Sequence, residues 1–264
     1  MSNNQLKKGS ITCVGTGMTI GAHMSIRCKN HISQADVVFS SCHPVMQQHI
    51  ERLNPNTHSL QYLYSSDKPR NQTYIDMVEV MMDEVRQGKR VVGAFYGHPG
   101  VFARAPHNVI RQAREEGYSA VMEPGISAED CLYADVGIDP GDVGCQHYEA
   151  SQFMFYQHRY DASAYLVLWQ IALAGELSLT TKVSSSQHVT ILCELLYEHY
   201  APSHQVILYE CPTLPTDDAR IDYISLADLP TADMSPITTL IVPPAYKPIQ
   251  NAKVLQKLRL LTSN

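Results

Sequence analysis

Three apolar, strand-like runs in this chain each end in a glycine turn: VGTGMTIGAH at residues 14–23, YGHPGVF at 96–102 and EPGISAED at 123–130. In open α/β sheets ligands bind beyond the carboxyl ends of the strands, so three such turns are expected to line one cleft. The first turn lacks the third glycine of a dinucleotide fingerprint, and no acidic residue is placed to take a ribose, which disfavours a Rossmann dehydrogenase. No GK[ST] occurs in the chain, which excludes a Walker phosphate loop.

Around these turns strand and helix patterns alternate. Residues 10–17 read as a buried strand, 24–35 as helical and 36–40 as a strand. A helix over 44–53, a short strand at 59–62 and an amphipathic helix over 73–87 follow, the last stopped by Gly88. RVVGAFYG is a second central strand. After its turn come a helix ending at Glu116, a strand at 119–122 and a helix ending at Asp135. Such alternation implies a parallel sheet with helices on its faces. Beyond the loop GIDPGDVG, residues 165–172, 205–211, 219–226 and 238–244 read as strands and 189–200 as a helix, a strand-rich pattern that implies a mixed sheet. The expected division is an N-terminal α/β lobe over 1–122, a C-terminal α/β lobe over 123–245 and a tail over 246–264. That tail is read as either a short amphipathic helix or a surface extension.

A length of 264 residues suits two lobes, each with its own core. The net charge of −6 and the lack of a basic cluster argue against a nucleic-acid partner. No apolar run approaches the ~20 residues needed to cross a bilayer, and the polar first ten residues do not form a secretory signal, so the expectation is a cytoplasmic protein without a membrane segment. Seven cysteines without a CxxC pair fit reduced thiols, and the histidines show no metal spacing, so no metal site is expected.

The order VGTG, YGHPGVF, EPGISAE, LVLWQIA and PITTLIVPP resembles the tetrapyrrole methylases, class III S-adenosylmethionine enzymes, across residues 9–244. The resemblance implies a two-lobed α/β fold with a mainly parallel N-terminal sheet, a mixed C-terminal sheet and the active site in the cleft between them. Most members carry GxGDP in the first turn. Here Gly15, Thr16, Gly17, Met18 and Thr19 depart from it, which counts against a porphyrinoid substrate. Within the family, YGHPGVF, PGISAEDCL, IDPG, the YEAS segment and a tyrosine-rich loop look like the peptide backbone α-N-methyltransferases of borosin biosynthesis. Carried over onto this sequence, the resemblance implies that Tyr96, His98, Val101, Phe102, Ser127, Ala128, Gln170, Cys211, Thr238 and Thr239 contact S-adenosylmethionine, which leaves as S-adenosylhomocysteine. An apolar slot for adenine, hydroxyl and amide partners and backbone donors from tight turns suit such a cofactor.

In the borosin enzymes the loop before the middle strand supplies a tyrosine, an arginine and a second tyrosine four residues after the arginine. Here these are Tyr64, Arg70 and Tyr74, the implied catalytic set. Residues four apart share one face of a helix. An amide nitrogen delocalises its lone pair into the carbonyl and is a poor nucleophile, so methylation needs a proton acceptor and positive charge for the developing oxyanion. A guanidinium beside a phenol favours the phenolate. The chemistry therefore assigns proton acceptance to Tyr74 with Arg70, leaves Tyr64 to orient the amide or donate to its oxygen, and puts Tyr96 near the transferring methyl.

Some members of this group carry the substrate peptide as a C-terminal extension. The tail after PPAYK is basic and leucine-containing, so the resemblance points to the split bacterial arrangement. In it a separate precursor with a helical recognition domain docks on a methyltransferase homodimer as a 2:2 complex. Two other readings stay open from the residues: a tetrapyrrole or other small-molecule methyltransferase, and a non-catalytic cofactor-binding partner module.

Overall fold

The computed structural model describes residues 8–64, 68–177 and 184–262. The chain forms two compact units. The first comprises Met1–Ile138, Leu177–Thr181 and Glu210–Arg220. The second comprises Asp139–Glu176, Lys182–Tyr209 and Ile221–Asn264.

The first unit follows the alternation read from the sequence: β1 (Ser10–Gly15), α1 (Ile26–Gln34), β2 (Val37–Ser41), α2 (Pro44–Leu53), β3 (Thr57–Ser59), α3 (Arg70–Arg86), β4 (Arg90–Phe95), α4 (Arg104–Glu115), β5 (Ser119–Glu123) and α5 (Ala128–Val136). Its five strands are all parallel, in the order β3-β2-β4-β1-β5. Side chains alternate across a strand, and the cores divide accordingly. Ile11, Cys13, Val37, Phe39 and Val91 share one core with Met77, Met81 and Val85 of α3 and Val109 of α4. Val14, Val38, Val92 and Ala94 share the other with Cys28 and Ile32 of α1 and Met46 and Ile50 of α2. Both faces of the sheet are thus covered, as a parallel sheet requires.

Two elements differ from the sequence reading. The short strand ends at Ser59, and Gln61–Leu63 form a 3-10 turn, because fully buried Leu60 donates its N–H to the Ser40 carbonyl at 2.7 Å and leaves the ladder there. The helix expected from Thr73 begins at Arg70, directly after Pro69, whose φ is compatible with entry into a helix. The first unit also continues past Met122, where the sequence reading ends its first lobe. All five residues of β5 lie in register with β1, so the strand and the helix after it stay with that sheet.

In the second unit the order is α6 (Pro140–Val143), β6 (Cys145–Glu149), α7 (Ala150–Phe155), β7 (Tyr165–Trp169), α8 (Ser186–Leu196), β8 (Gln205–Glu210), β9 (Arg220–Ser225), β10 (Thr239–Val242) and α9 (Ala252–Thr262). The sheet order is β6-β7-β10-β8-β9. It is mixed: β6 runs parallel to β7, and β10 runs antiparallel to both β7 and β8. Leu166, Leu168, Leu208, Leu240 and Val242 bury against Leu192 and Leu196 of α8. The segment read as a loop, GIDPGDVG, contains the single turn α6, begun by Asp139, whose Oδ1 accepts from the Gly141 N–H at 2.8 Å, with Pro140 at the first helical position. The tail resolves as the helix α9, none of whose residues is buried.

The ends of β4, β1 and β5 approach each other as bare backbone. A Cβ added at Gly15 falls 2.3 Å from the Gly97 carbonyl oxygen and 2.8 Å from Gly125 Cα. One added at Gly100 meets chiefly the flexible end of Met122. Gly15→Ala is therefore expected to cost about 1–3 kcal/mol, because backbone must move. Gly100→Ala should cost clearly less, as thermal unfolding of the two variants will measure.

Candidate functional site

The three glycine turns meet at the carboxyl edge of the first sheet. Gly17 and Gly97 exchange both backbone hydrogen bonds, at 3.1 and 2.9 Å, and the Thr16 N–H donates to the Phe95 carbonyl at 2.8 Å. Gly125 packs on both other turns: a Cβ there falls 2.4 Å from the Gly97 oxygen and 2.8 Å from Gly15 Cα. The expectation that these turns line one place is met by this geometry. Without side chains at the contact, the three turns pack main chain directly against main chain.

The middle turn presents four of the implied cofactor residues. Tyr96 and Phe102 are exposed, and His98 and Val101 are half-buried. His98 Nδ1 accepts from the Gly100 N–H at 2.8 Å, which fixes the orientation of the ring. Phe102 adopts φ +49°, a left-handed conformation that a non-glycine residue rarely takes. In the third turn Ser127 caps α5. Its hydroxyl donates to Asp130 Oδ2 at 2.7 Å and accepts from the Asp130 N–H at 3.3 Å, so the helix start uses it heavily. Ala128 follows as the first helical residue.

Tyr64, Arg70, Tyr74 and Tyr96 form one electrostatic group within the first unit. The Tyr64 phenol is raised above the ordinary tyrosine range by burial first and then by Tyr74, with Arg70 opposing and Tyr96 adding. Tyr96 is raised by desolvation and by Tyr74, again opposed by Arg70. Tyr96 keeps 64% of its surface accessible, so water screens much of that effect and its direction alone carries weight. Both phenols therefore keep their protons at neutral pH. Arg70 is half-buried, its Nε is enclosed without a hydrogen-bond partner, and no carboxylate pairs with it among the described residues. The Leu63 carbonyl, just before Tyr64, accepts from Thr73 Oγ1 and Lys68 Nζ, each at 3.5 Å, and Lys68 in turn pairs with Asp76. Residues 65–67 of this loop lie outside the described residues.

Within the second unit the structure brings Gln170, Thr238 and Thr239 together. Gln170 ends β7 with φ +58°, and the next residue's N–H donates to the Thr238 carbonyl at 3.1 Å. Thr238 and Thr239 are buried at the start of β10. Trp169, just before Gln170, donates its indole N–H to His147 Nδ1 at 3.1 Å. Cys211 belongs instead to the first unit. It lines a cavity of about 510 Å³ with Thr19, His23, Ile126, Asp130 and Asp135.

Sequence reading missed these cavity walls. The i, i+4 spacings Asp130–Ala134 and Cys131–Asp135 on the helix after PGIS were the available signal. It also missed the bond from Arg104 Nη1 to Asn71 Oδ1, which ties the start of α4 to the residue after Arg70 and which nothing in the spacing announces. Among the described residues no cluster of histidine, cysteine and carboxylate groups could hold a metal, and no helix is long and apolar enough to cross a membrane.

A parallel doubly wound sheet with glycine turns converging at its carboxyl edge in one unit, and a mixed sheet in the other, define a two-unit α/β architecture of the methylase type. Residues 10–219 match the sequence model of the Tetrapyrrole (Corrin/Porphyrin) Methylases. The chain belongs to that family. It is 39% identical to a methyltransferase/ribosomally synthesized type I borosin cyclic peptide precursor of Coprinopsis marcescibilis, over 97% of this chain and 68% of that protein. It is 36% identical to the methyltransferase/cyclic peptide gymnopeptides precursor of Gymnopus fusipes, over 100% of this chain and 64% of that one. The chain therefore spans about two thirds of the length of these relatives. In structure it resembles the uroporphyrin-III-C-methyltransferase of Thermus thermophilus, with a TM-score of 0.63 and 18% identity over 90% of this chain and 94% of that one, a likeness of fold.

Phe102 and Gln170 are the only non-glycine residues at positive φ among the described residues, and both belong to the implied cofactor set. Strain of this kind costs roughly 1–3 kcal/mol and persists where surrounding structure enforces it. Gln170→Gly is expected to raise the thermal midpoint while weakening S-adenosylhomocysteine binding at least tenfold by calorimetry.

Proposed function

We propose that the protein is an S-adenosylmethionine-dependent methyltransferase that methylates backbone amide nitrogens of a separate precursor peptide, in the manner of borosin biosynthesis. The observation that carries this reading is the Arg70 guanidinium. It stands at the start of α3 within electrostatic reach of Tyr64 and Tyr96, which also sense Tyr74, and no carboxylate neutralises it among the described residues. A half-buried cation without a counter-ion is suited to a charge that develops only during reaction. The names of the relatives, which join methyltransferase and peptide precursor, support the peptide as substrate.

The residues present fit the cofactor. The three turns leave bare backbone where a Cβ would fill the space, and the two strained residues fall on its implied contacts. Tyr96, His98, Val101, Phe102, Ser127, Ala128 and Cys211 of the first unit and Gln170, Thr238 and Thr239 of the second are the residues to hold it. When bound, S-adenosylmethionine supplies an electrophilic methyl on a sulfonium.

The chain's own groups do the rest. Tyr74, on the first turns of the helix that Arg70 begins, takes the amide proton. Arg70 holds the charge that grows on the amide oxygen. Tyr64, protonated at neutral pH, donates to the same oxygen and fixes the amide plane. Tyr96 orients the acceptor nitrogen toward the methyl. We place the protein in the cytoplasm as a homodimer with two precursors bound, each precursor carrying a helical recognition domain. Seven free cysteines suit a reducing compartment.

The test is methyl transfer from deuteromethyl-labelled S-adenosylmethionine to an apolar precursor peptide, with tandem mass spectrometry locating the label on backbone amides. Arg70→Ala is expected to lower kcat about 10²–10³-fold and Tyr74→Phe about 10²–10⁴-fold, with cofactor affinity retained. Undiminished transfer in both folded variants overturns the assignment. The rate should fall only above the ordinary tyrosine range of about 10, where the raised Tyr64 phenol begins to lose the proton it donates.

A further inference from the structure

None of the seven cysteines is in a disulfide, and two of them share a cavity wall. Cys131 in α5 and Cys211 directly after β8 share a side-chain hydrogen bond, and both line the cavity of about 510 Å³. The cavity walls all belong to the first unit: Thr19 and His23 come from the first turn, Asp130 and Asp135 from α5, and Pro212 follows Cys211. The other thiols are placed differently. Cys28 and Cys42 sense each other electrostatically, yet both are sealed in the apolar core beneath Ile32 and Ile50. Cys42 Sγ donates to the Ala94 carbonyl, Cys193 Sγ to the Leu226 carbonyl and Cys211 Sγ to the Pro212 carbonyl, so what sets Cys131 and Cys211 apart is the cavity wall they share.

We propose that Cys131 and Cys211 are a redox-active dithiol, a site of oxidative modification that closes to an intramolecular disulfide at the cavity wall. The reaction partner is a two-electron thiol oxidant, such as a diazene or a low-molecular-weight disulfide, small enough to enter that cavity. Two thiols in hydrogen-bond contact need only a small approach to bond. The pair divides its labour. Cys131 is held protonated well above the ordinary thiol range, first by its bond to Cys211 and then by burial, so the first step is given to Cys211 and the second to Cys131.

Cys211 loses its proton and attacks the oxidant, forming a covalent adduct. The Cys131 sulfur then attacks Cys211 Sγ and expels the reduced oxidant. One S–S bond forms, two S–H bonds are lost, and two protons and two electrons pass to the oxidant. The new bond fastens α5, which begins at Ala128, to the segment whose Thr213 carbonyl accepts from the Ile20 N–H at 2.9 Å. Oxidation therefore stiffens the first and third glycine turns together.

The experiment treats the folded full chain with diamide, blocks remaining thiols with N-ethylmaleimide in denaturant, and maps non-reduced peptides by mass spectrometry. The expected first product joins the Cys131 and Cys211 peptides, lighter by two hydrogens. The five other cysteines carry maleimide, and dithiothreitol restores free thiols at the pair. Cys211→Ser should abolish the intramolecular product. Recovery of both Cys131 and Cys211 as maleimide adducts at diamide levels that oxidise other thiols overturns the proposal. So does a first disulfide between Cys28 and Cys42. The decisive reading is on the unsubstituted chain, so a variant that fails to fold does not obscure it.

Discussion

The contact of three backbones at Gly15, Gly97 and Gly125 is the constraint from which the first unit is organised. Parallel strands leave their carboxyl ends at one edge, and there β4, β1 and β5 run side by side. For the turns that follow to touch, no side chain can intervene, and any Cβ at Gly15 or Gly125 would strike main-chain atoms. The reciprocal hydrogen bonds between Gly17 and Gly97 then lock the first and second turns, so the residues after them cannot move independently. Tyr96, His98 and Phe102 take their positions from a feature that has no side chain of its own.

Arg70 depends on this frame indirectly. Its helix packs through Met77, Met81 and Val85 on the core face of the sheet, and its first turn is tied to the middle glycine turn by the bond between Arg104 and Asn71. On the other side, Thr73 and Lys68 hold the carbonyl that precedes Tyr64. Among the described residues these anchors fix the start of α3 without a carboxylate paired to Arg70, which under the proposed mechanism keeps its charge for an amide oxygen in the transition state.

The elements most legible in the sequence were strands that run apolar into a glycine, as in VVGAFYG, and helices bounded by proline, as over 44–53. Those strands are buried on both faces, so their sequences are nearly continuous apolar runs. β6 and α7 escaped notice because CQHYE is half-buried throughout and shows no alternation, while ASQFMF is too short to establish a helical period. The start of α3 was displaced by three residues because RNQ is polar. Only the preceding proline marks the boundary, and a proline also suits a loop. The Tyr64, Arg70 and Tyr74 set was readable through a resemblance, whereas the cavity beside Cys131 depends on the chain returning at Cys211, about eighty residues later, which no local pattern encodes.

Phe102 and Gln170 show that the two units solve one problem in the same way. Gln170 directly follows β7, Phe102 closes the glycine turn that begins after β4 at Phe95, and each takes the left-handed conformation that glycine would adopt without cost. Glycine is used freely at such φ values elsewhere in this chain, at Gly97, Gly137 and Gly175 among others, so the backbone path alone does not call for a side chain. A phenyl ring and a carboxamide are kept at these two places despite the strain. The proposed cofactor role accounts for that strain, since an apolar ring and a hydrogen-bonding amide are the two kinds of contact that a nucleoside with an amino-acid arm requires.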